Sequence, residues 1–176
     1  YYQVIENTVP IKGRWKIEFI KGGPVFPKPV EMTELKSWTE LDDDAAKRFG
    51  GTARYTLKFD APNTKGDEWI LDLGDVRESA RIRINGKIVD TAWSVPFRVQ
   101  VGKFLKAGSN TLQLEVTNLA ANRIRDMDKR KIKWKIMHEI NFVNINYKPF
   151  DASKWDLTPS GLLGPVALIP LKRIDP

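Results

Sequence analysis

Cysteine is absent from the 176 residues, and histidine occurs once, at His138. A disulfide framework, a thiolate metal site and a cysteine nucleophile are therefore excluded, and so are His-rich metal centres. A Ser-His-Asp triad would have to use that single imidazole. No apolar run approaches the ~20 residues of a membrane helix, so no membrane span is expected. A Gly-rich phosphate loop, a dinucleotide fingerprint and a zinc-protease motif are also missing. The chain opens at Tyr1 without the basic start and apolar core of a signal peptide. It reads as a processed product or a piece of something longer.

What is present is an ordinary soluble composition, with 41% hydrophobic and 29% charged residues. Net charge is +7, from 29 Lys+Arg against 22 Asp+Glu. Seven cations (Arg123, Arg125, Lys129, Arg130, Lys131, Lys133, Lys135) and two acids (Asp126, Asp128) share residues 123–135. The rest of the chain holds 22 cations against 20 acids, so the excess is one local patch. Helix-turn-helix, zinc-finger and RNA-binding patterns are absent, and no nucleic-acid partner is expected. The patch is either a solvated face or a contact with an acidic polysaccharide or a neighbouring domain.

Apolar residues recur with period two, the pattern of half-buried strands. Trp15, Ile17 and Phe19 form one such set, and Ala53, Tyr55, Leu57 and Phe59 another. Further sets are Trp69, Leu71 and Leu73, then Ala80, Ile82 and Ile84, then Phe97, Val99 and Val101, then Leu112, Leu114 and Val116. A last apolar stretch runs from Val166 to Leu171, where Pro170 suggests a sheet edge or a strand end. Asn85-Gly86 predicts a type I′ hairpin, because both residues tolerate positive φ. One short helix is expected at Asp42–Phe49, with acids leading, Lys47 and Arg48 closing, and Gly50-Gly51 stopping it. Residues 131–147 fit either a strand or a helix. The tail from Tyr147 to Gly164 reads as an irregular excursion.

Seven or more short strands with little helix predict an all-β protein, a single antiparallel β-sandwich spanning 1–176. A jelly roll is favoured over an immunoglobulin type, whose Cys…Trp…Cys pattern is missing. A glycosidase needs two carboxyl groups facing each other across a sugar. Most acids here lie at exposed strand or loop positions, so no catalytic residue is assigned.

Six tryptophans are many for this length. Trp15, Trp69 and Trp134 fall in phase with strand cores, whereas Trp38, Trp93 and Trp155 lie in loop-like sequence. An exposed indole matches the C–H face of a pyranose, with nearby Asn, Asp and Arg for the hydroxyls. Large aromatics also plug the ends of sandwiches. Candidate carbohydrate contacts are Trp93, Arg98, Asn122 and Arg123, all near strand ends, although Asn and Arg there equally satisfy loop backbone. A calcium site would draw on Asp42, Asp43 and Asp44, or on Asp126 and Asp128. The first trio is better explained as a helix N-terminus, and no metal or cofactor is assigned.

The segments GTARYTLKFDAP and WILDLGDVRESARIRINGKIVDTAWSVPFRVQVGKFLKAGSNTLQLEVTN resemble the sugar-binding jelly-roll domain of family 2-type glycoside hydrolases. The likeness rests on Tyr55, Leu71–Lys87, Pro96-Phe97, Leu105–Leu112 and Val116–Asn118. The flanks IKGRWKIEFIKGGPVFP, LKSWTELDDDAAKRFGGTARY, NLAANRIRDMD and SGLLGPVAL are similar to the C-terminal part of family 106-type α-L-rhamnosidases. The resemblance implies a galactose-binding-like sandwich attached to a separate catalytic barrel that holds the reacting carboxylates. It further implies a non-catalytic accessory domain of an exported (secreted or periplasmic) polysaccharide-degrading hydrolase. The implied partners are that catalytic domain and a rhamnose-containing or other plant polysaccharide. A sandwich that only braces the barrel, without ligand, is the alternative.

Overall fold

A computed structural model describes residues 1–5, 8–63, 66–134, 146, 148 and 150–174. In chain order the strands are β1 (Tyr2–Val4), β2 (Val9–Pro10), β3 (Trp15–Gly23), β4 (Val30–Met32), β5 (Gly50–Asp60), β6 (Glu68–Asp72) and β7 (Asp75–Arg77). They continue with β8 (Ser79–Ile84), β9 (Lys87–Ala92), β10 (Arg98–Gln100), β11 (Ser109–Thr117), β12 (Gly161–Gly164) and β13 (Ala167–Arg173). Two helices accompany them, α1 (Asp44–Lys47) and α2 (Ala121–Lys129), with 3-10 turns at Trp38–Glu40 and Gly102–Phe104.

One antiparallel sheet runs β4-β3-β5-β11-β8-β9. A second runs β1-β13-β6-β10, with β2 also on β13, and β12 pairs β7 in a short third sheet. The period-two pattern explains the layering. Cross-strand partners Ile17, Tyr55, Leu114 and Ile82 lie in register, and all are buried. Leu71 pairs with Val99 and Leu168 in the second sheet, and these too join the common core. Fully burying each such side chain contributes about 1.5–3 kcal/mol. This is the expected antiparallel β-sandwich. The hairpin also forms as expected, with φ of 52° at Asn85 and 80° at Gly86.

Four local readings need correction. The first helix is shorter than 42–49. Asp43 caps it by accepting the Ala45 N–H at 2.8 Å, and Gly50-Gly51 open β5 rather than cap the helix. The chain from Ala121 to Lys129 is helical, although it lacks a capping side chain at Ala120 to announce it. Its support is the Asp126 carboxylate, 2.7 Å from Arg130 and 3.5 Å from Arg123. The excursion before the last strand contains β12.

Pro170, finally, lies inside the sheet, because β13 is flanked by β6 on one side and by β1 and β2 on the other. An antiparallel residue aims its N and its C=O at the same neighbour. Pro170 O accepts from Ile5 N, so the missing N–H faces the break between β1 and β2 and removes no ladder bond from β6. Of the ambiguous stretch 131–147, residues 135–145 and 147 lie outside the described residues, His138 among them.

Candidate functional site

Strand directions bring the predicted contact residues to one end of the sandwich. There β5 and β8 begin, and β9 and β11 end, as the pairs Thr52↔Thr117, Ser79↔Thr117 and Ala80↔Ala92 show. Trp93 leaves from β9 at the sheet edge. Arg123 sits over the start of β5, where a Cβ added to Gly50 would lie 3.2 Å from the arginine's own. Three strand steps separate β9 from β5, about 14 Å at the usual spacing of about 4.8 Å. Trp93 and Arg123 thus belong to opposite sides of the β5–β9 span.

Each of the four residues has a different environment. Trp93 is 76% exposed, and its indole has no hydrogen bond or ring contact among the described residues. Arg98 is half exposed and donates from Nε to Asp72 Oδ2 at 2.7 Å, across the β10–β6 pair. Arg123 is a quarter exposed and faces Asp126. Asn122 is 2% exposed, and its polar atoms are engaged internally. Its amide donates to Thr158 O at 2.7 Å and to Ser160 Oγ, while its Oδ1 accepts Thr158 N–H at 2.8 Å.

Asn122 belongs to a polar hub beneath that end. Asn118 accepts Gly51 N–H and donates to Phe49 O and Ser160 Oγ. Ser160 N donates to Ser37 Oγ, the side chain that also caps the turn at Trp38. Trp38 is fully buried rather than in an open loop, and its indole donates to Tyr55 Oη. Leu162 N–H donates to the same oxygen. Burial pushes the Tyr55 phenol up to about 12, against the opposing pull of the Leu162 and Trp38 donors. The hub ties β5, α2 and the 158–162 segment together and so sets the shape of the end surface.

The outer face of the six-stranded sheet carries a shallow cleft of about 390 Å³, bordered by Thr52, Ser79, Thr91 and Thr117 with Lys21 and Arg81. Glu115 lies in it, 2.8 Å from Arg54 and 3.8 Å from Arg81. Four of the acids weighed for a calcium site are engaged elsewhere. Asp43 caps α1, Asp44 pairs with Lys47, Asp126 with two arginines, and Asp128 accepts the Trp134 indole and Ala152 N–H. Among the described residues no group of three or more His, Cys, Asp or Glu side chains could hold a metal ion. No helix among them is long and apolar enough to cross a membrane.

An aromatic row escaped the sequence reading. Trp134, Phe150 and Trp155 meet edge to face, with centroids 6.2 and 5.5 Å apart. They come from two segments on either side of residues 135–149, so no local periodicity could mark them.

Residues 40–161 match the glycosyl hydrolase 2 galactose-binding domain-like family. A protein of Formosa agariphila named as a β-glucuronidase is 34% identical over 184 residues, covering 93% of this chain and 16% of its own length. A rhamnosidase structure from Novosphingobium sp. PP1Y superimposes with a TM-score of 0.71 at 29% identity, over 96% of this chain and 15% of that one. The β-D-glucuronidase of Dictyoglomus thermophilum shares the fold, with a TM-score of 0.61 at 16% identity, over 95% of this chain and 28% of that one. This chain therefore spans about a sixth of the length of the curated relative. It belongs to the glycosyl hydrolase 2 galactose-binding domain-like family.

Proposed function

We propose that this member of the glycosyl hydrolase 2 galactose-binding domain-like family is a non-catalytic, carbohydrate-contacting accessory domain of an exported polysaccharide-degrading glycoside hydrolase. Residues 1–176 form, on this reading, one sandwich unit of a longer protein. The observation that carries it is Trp93, a 76% exposed indole at the loop-bearing end of the sandwich. Its flat face suits the C–H face of a pyranose. Arg98 and Arg123 offer guanidinium donors at the same end, beyond those already turned to Asp72 and Asp126. Asn122 contributes from below, by holding the 158–160 segment in place.

Reaction chemistry is assigned to the rest of the parent, in line with the small share of each relative that this chain spans. The name of the F. agariphila relative favours a β-glucuronide as the parent's substrate, and the rhamnosidase likeness favours a rhamnoside. Nitrophenyl β-glucuronide and α-L-rhamnoside turnover by the full-length parent separates these two.

A specific observation favours a second reading, a domain that braces the catalytic part without ligand. Val95 is 79% exposed and Ile88 59% exposed, close to Trp93 in sequence. Such side chains also suit a packed contact with a neighbouring domain. Calorimetry of this chain against rhamnose-containing and glucuronate-containing oligosaccharides decides. Heat at millimolar ligand that disappears in Trp93→Ala supports sugar contact. No heat with either ligand sinks it and leaves the brace.

A further inference from the structure

The basic patch acquires a shape in the structure. It flanks a cleft of about 520 Å³ at the C-terminal end of α2, whose walls include Lys129, Lys131, Lys133, Trp134, Phe150 and Asp151. That volume is in the usual range for small-molecule sites. The lining carries three lysines, Lys129, Lys131 and Lys133, against two acids, Asp128 and Asp151, an excess of positive charge. Asp126 is held by Arg123 and Arg130. Asp128 lies at the wall with its carboxylate held in place, one oxygen accepting the Trp134 indole N–H at 2.6 Å and the other the Ala152 N–H at 2.8 Å. Asp151, the other wall acid, accepts Ser153 N–H through Oδ1. Lys129, Lys131 and Lys133 are exposed and form no ion pair with any described residue.

The end of α2 adds a second observation. Ile132 N–H bonds Met127 O and Lys131 N–H bonds Asp128 O, a helix terminus that turns on a left-handed residue. That residue is Lys131, with φ of 56°. Glycine is the favoured occupant of such a position, and a lysine there is strained. Non-glycine residues held in this region cluster at ligand sites and switches.

We propose that this cleft is a second saccharide site, selective for carboxylate-bearing sugars such as uronate oligosaccharides. The lysines take the carboxylates, and the Trp134 and Phe150 rings take the apolar faces of the pyranoses. Single-stranded nucleic acid would also combine cations with aromatic faces, but it is bound in a groove that tracks several successive phosphates. A short cleft whose lining has three lysines to two acids, beside two aromatic rings, fits one or two uronates better. The proposal shares with the preceding section only the premise that the domain meets saccharides. Its residues are separate, so Trp93→Ala and the lysine variants report independently.

The test is titration of the whole chain with trigalacturonate, with its methyl ester, and with a uridylate trinucleotide, at low and at physiological salt. Trigalacturonate is expected to bind at least tenfold more tightly than the ester and to weaken as salt rises. The triple variant Lys129→Gln, Lys131→Gln, Lys133→Gln is expected to lose tenfold or more. Lys131→Gly is expected to lose about threefold while its Tm stays level or rises, since glycine relieves the left-handed strain. This variant keeps the test independent of folding. Equal binding of ester and acid, full affinity in the triple variant, or tighter binding of the trinucleotide would each overturn the assignment.

Discussion

Trp38 and Tyr55 are joined at the centre of the sandwich, the indole N–H of one donating to the phenol oxygen of the other. That oxygen also accepts Leu162 N–H, so one atom ties a 3-10 turn, a central strand and the late strand β12. All three partners are buried. The loops at the candidate end rest on this junction, and its chemistry makes four outcomes measurable.

Tyr55→Phe keeps the ring and removes the acceptor. It leaves the Trp38 indole N–H and the Leu162 N–H without a partner in the core. An orphaned buried donor costs about 1–3 kcal/mol, so a loss of about 2–4 kcal/mol is expected. Urea denaturation should show a lower midpoint with an unchanged slope.

Alkaline pH should act through the same phenol. Its pKa is about 12 folded against 10 unfolded. Below pH 10 both states are protonated, and the contribution of Tyr55 to stability is complete. Between 10 and 12 the unfolded chain releases the proton and the folded one keeps it, so stability falls, by roughly 1.4 kcal/mol per pH unit at most. Stability curves of wild type and Tyr55→Phe should differ in slope across this window. Parallel curves would mean that the phenol is not buried in solution.

Gly161→Ala should be more damaging than its size suggests. Gly161 has φ of 101°, and an added Cβ would run into the Trp38 indole nitrogen and the Tyr55 oxygen. Both the backbone strain and the clash oppose it, and a loss of about 3 kcal/mol or more is expected. Thermal denaturation and the protein's near-ultraviolet tryptophan signal would report it.

Asn122→Ala separates folding from ligand contact. It strands the Thr158 N–H that Asn122 Oδ1 now accepts, at a cost of about 1–3 kcal/mol, while Thr158 O keeps the Ser160 hydroxyl. Sugar affinity measured below the melting transition should stay within about twofold of wild type. A selective loss of affinity at unchanged Tm would instead put Asn122 on the ligand.

Much of the fold was legible because a sheet with one wet face writes its geometry into every second residue. The runs at Trp15, Ala53, Ala80 and Leu112 are strands with their apolar members inside, and Asn85-Gly86 turns as its chemistry demands. Short segments gave no such rhythm. β1, β2, β4 and β12 hold two to four residues each and exist because a neighbour accepts their backbone. α2 lacks an N-terminal capping side chain, so no local start signal marked it.

The candidate site was less legible. Local chemistry named an exposed tryptophan, two arginines and an asparagine near strand ends, and did not tell a ligand contact from an internal brace. Asn122 and Trp93 illustrate the difference, since one faces Thr158 and Ser160 and the other faces solvent.

Alternation, turn residues and the absence of cysteine were enough to specify a two-layer antiparallel body held together by its core. Those are near-neighbour properties, set by how successive residues point. Where Pro170 was tolerated, which tryptophan was sealed and which acids were already engaged depended on contacts between residues distant in the chain, 123 positions apart for Ser160 and Ser37 and further still for Pro170 and Ile5. Such pairings arise only when the sheets close on one another, and no local pattern records them.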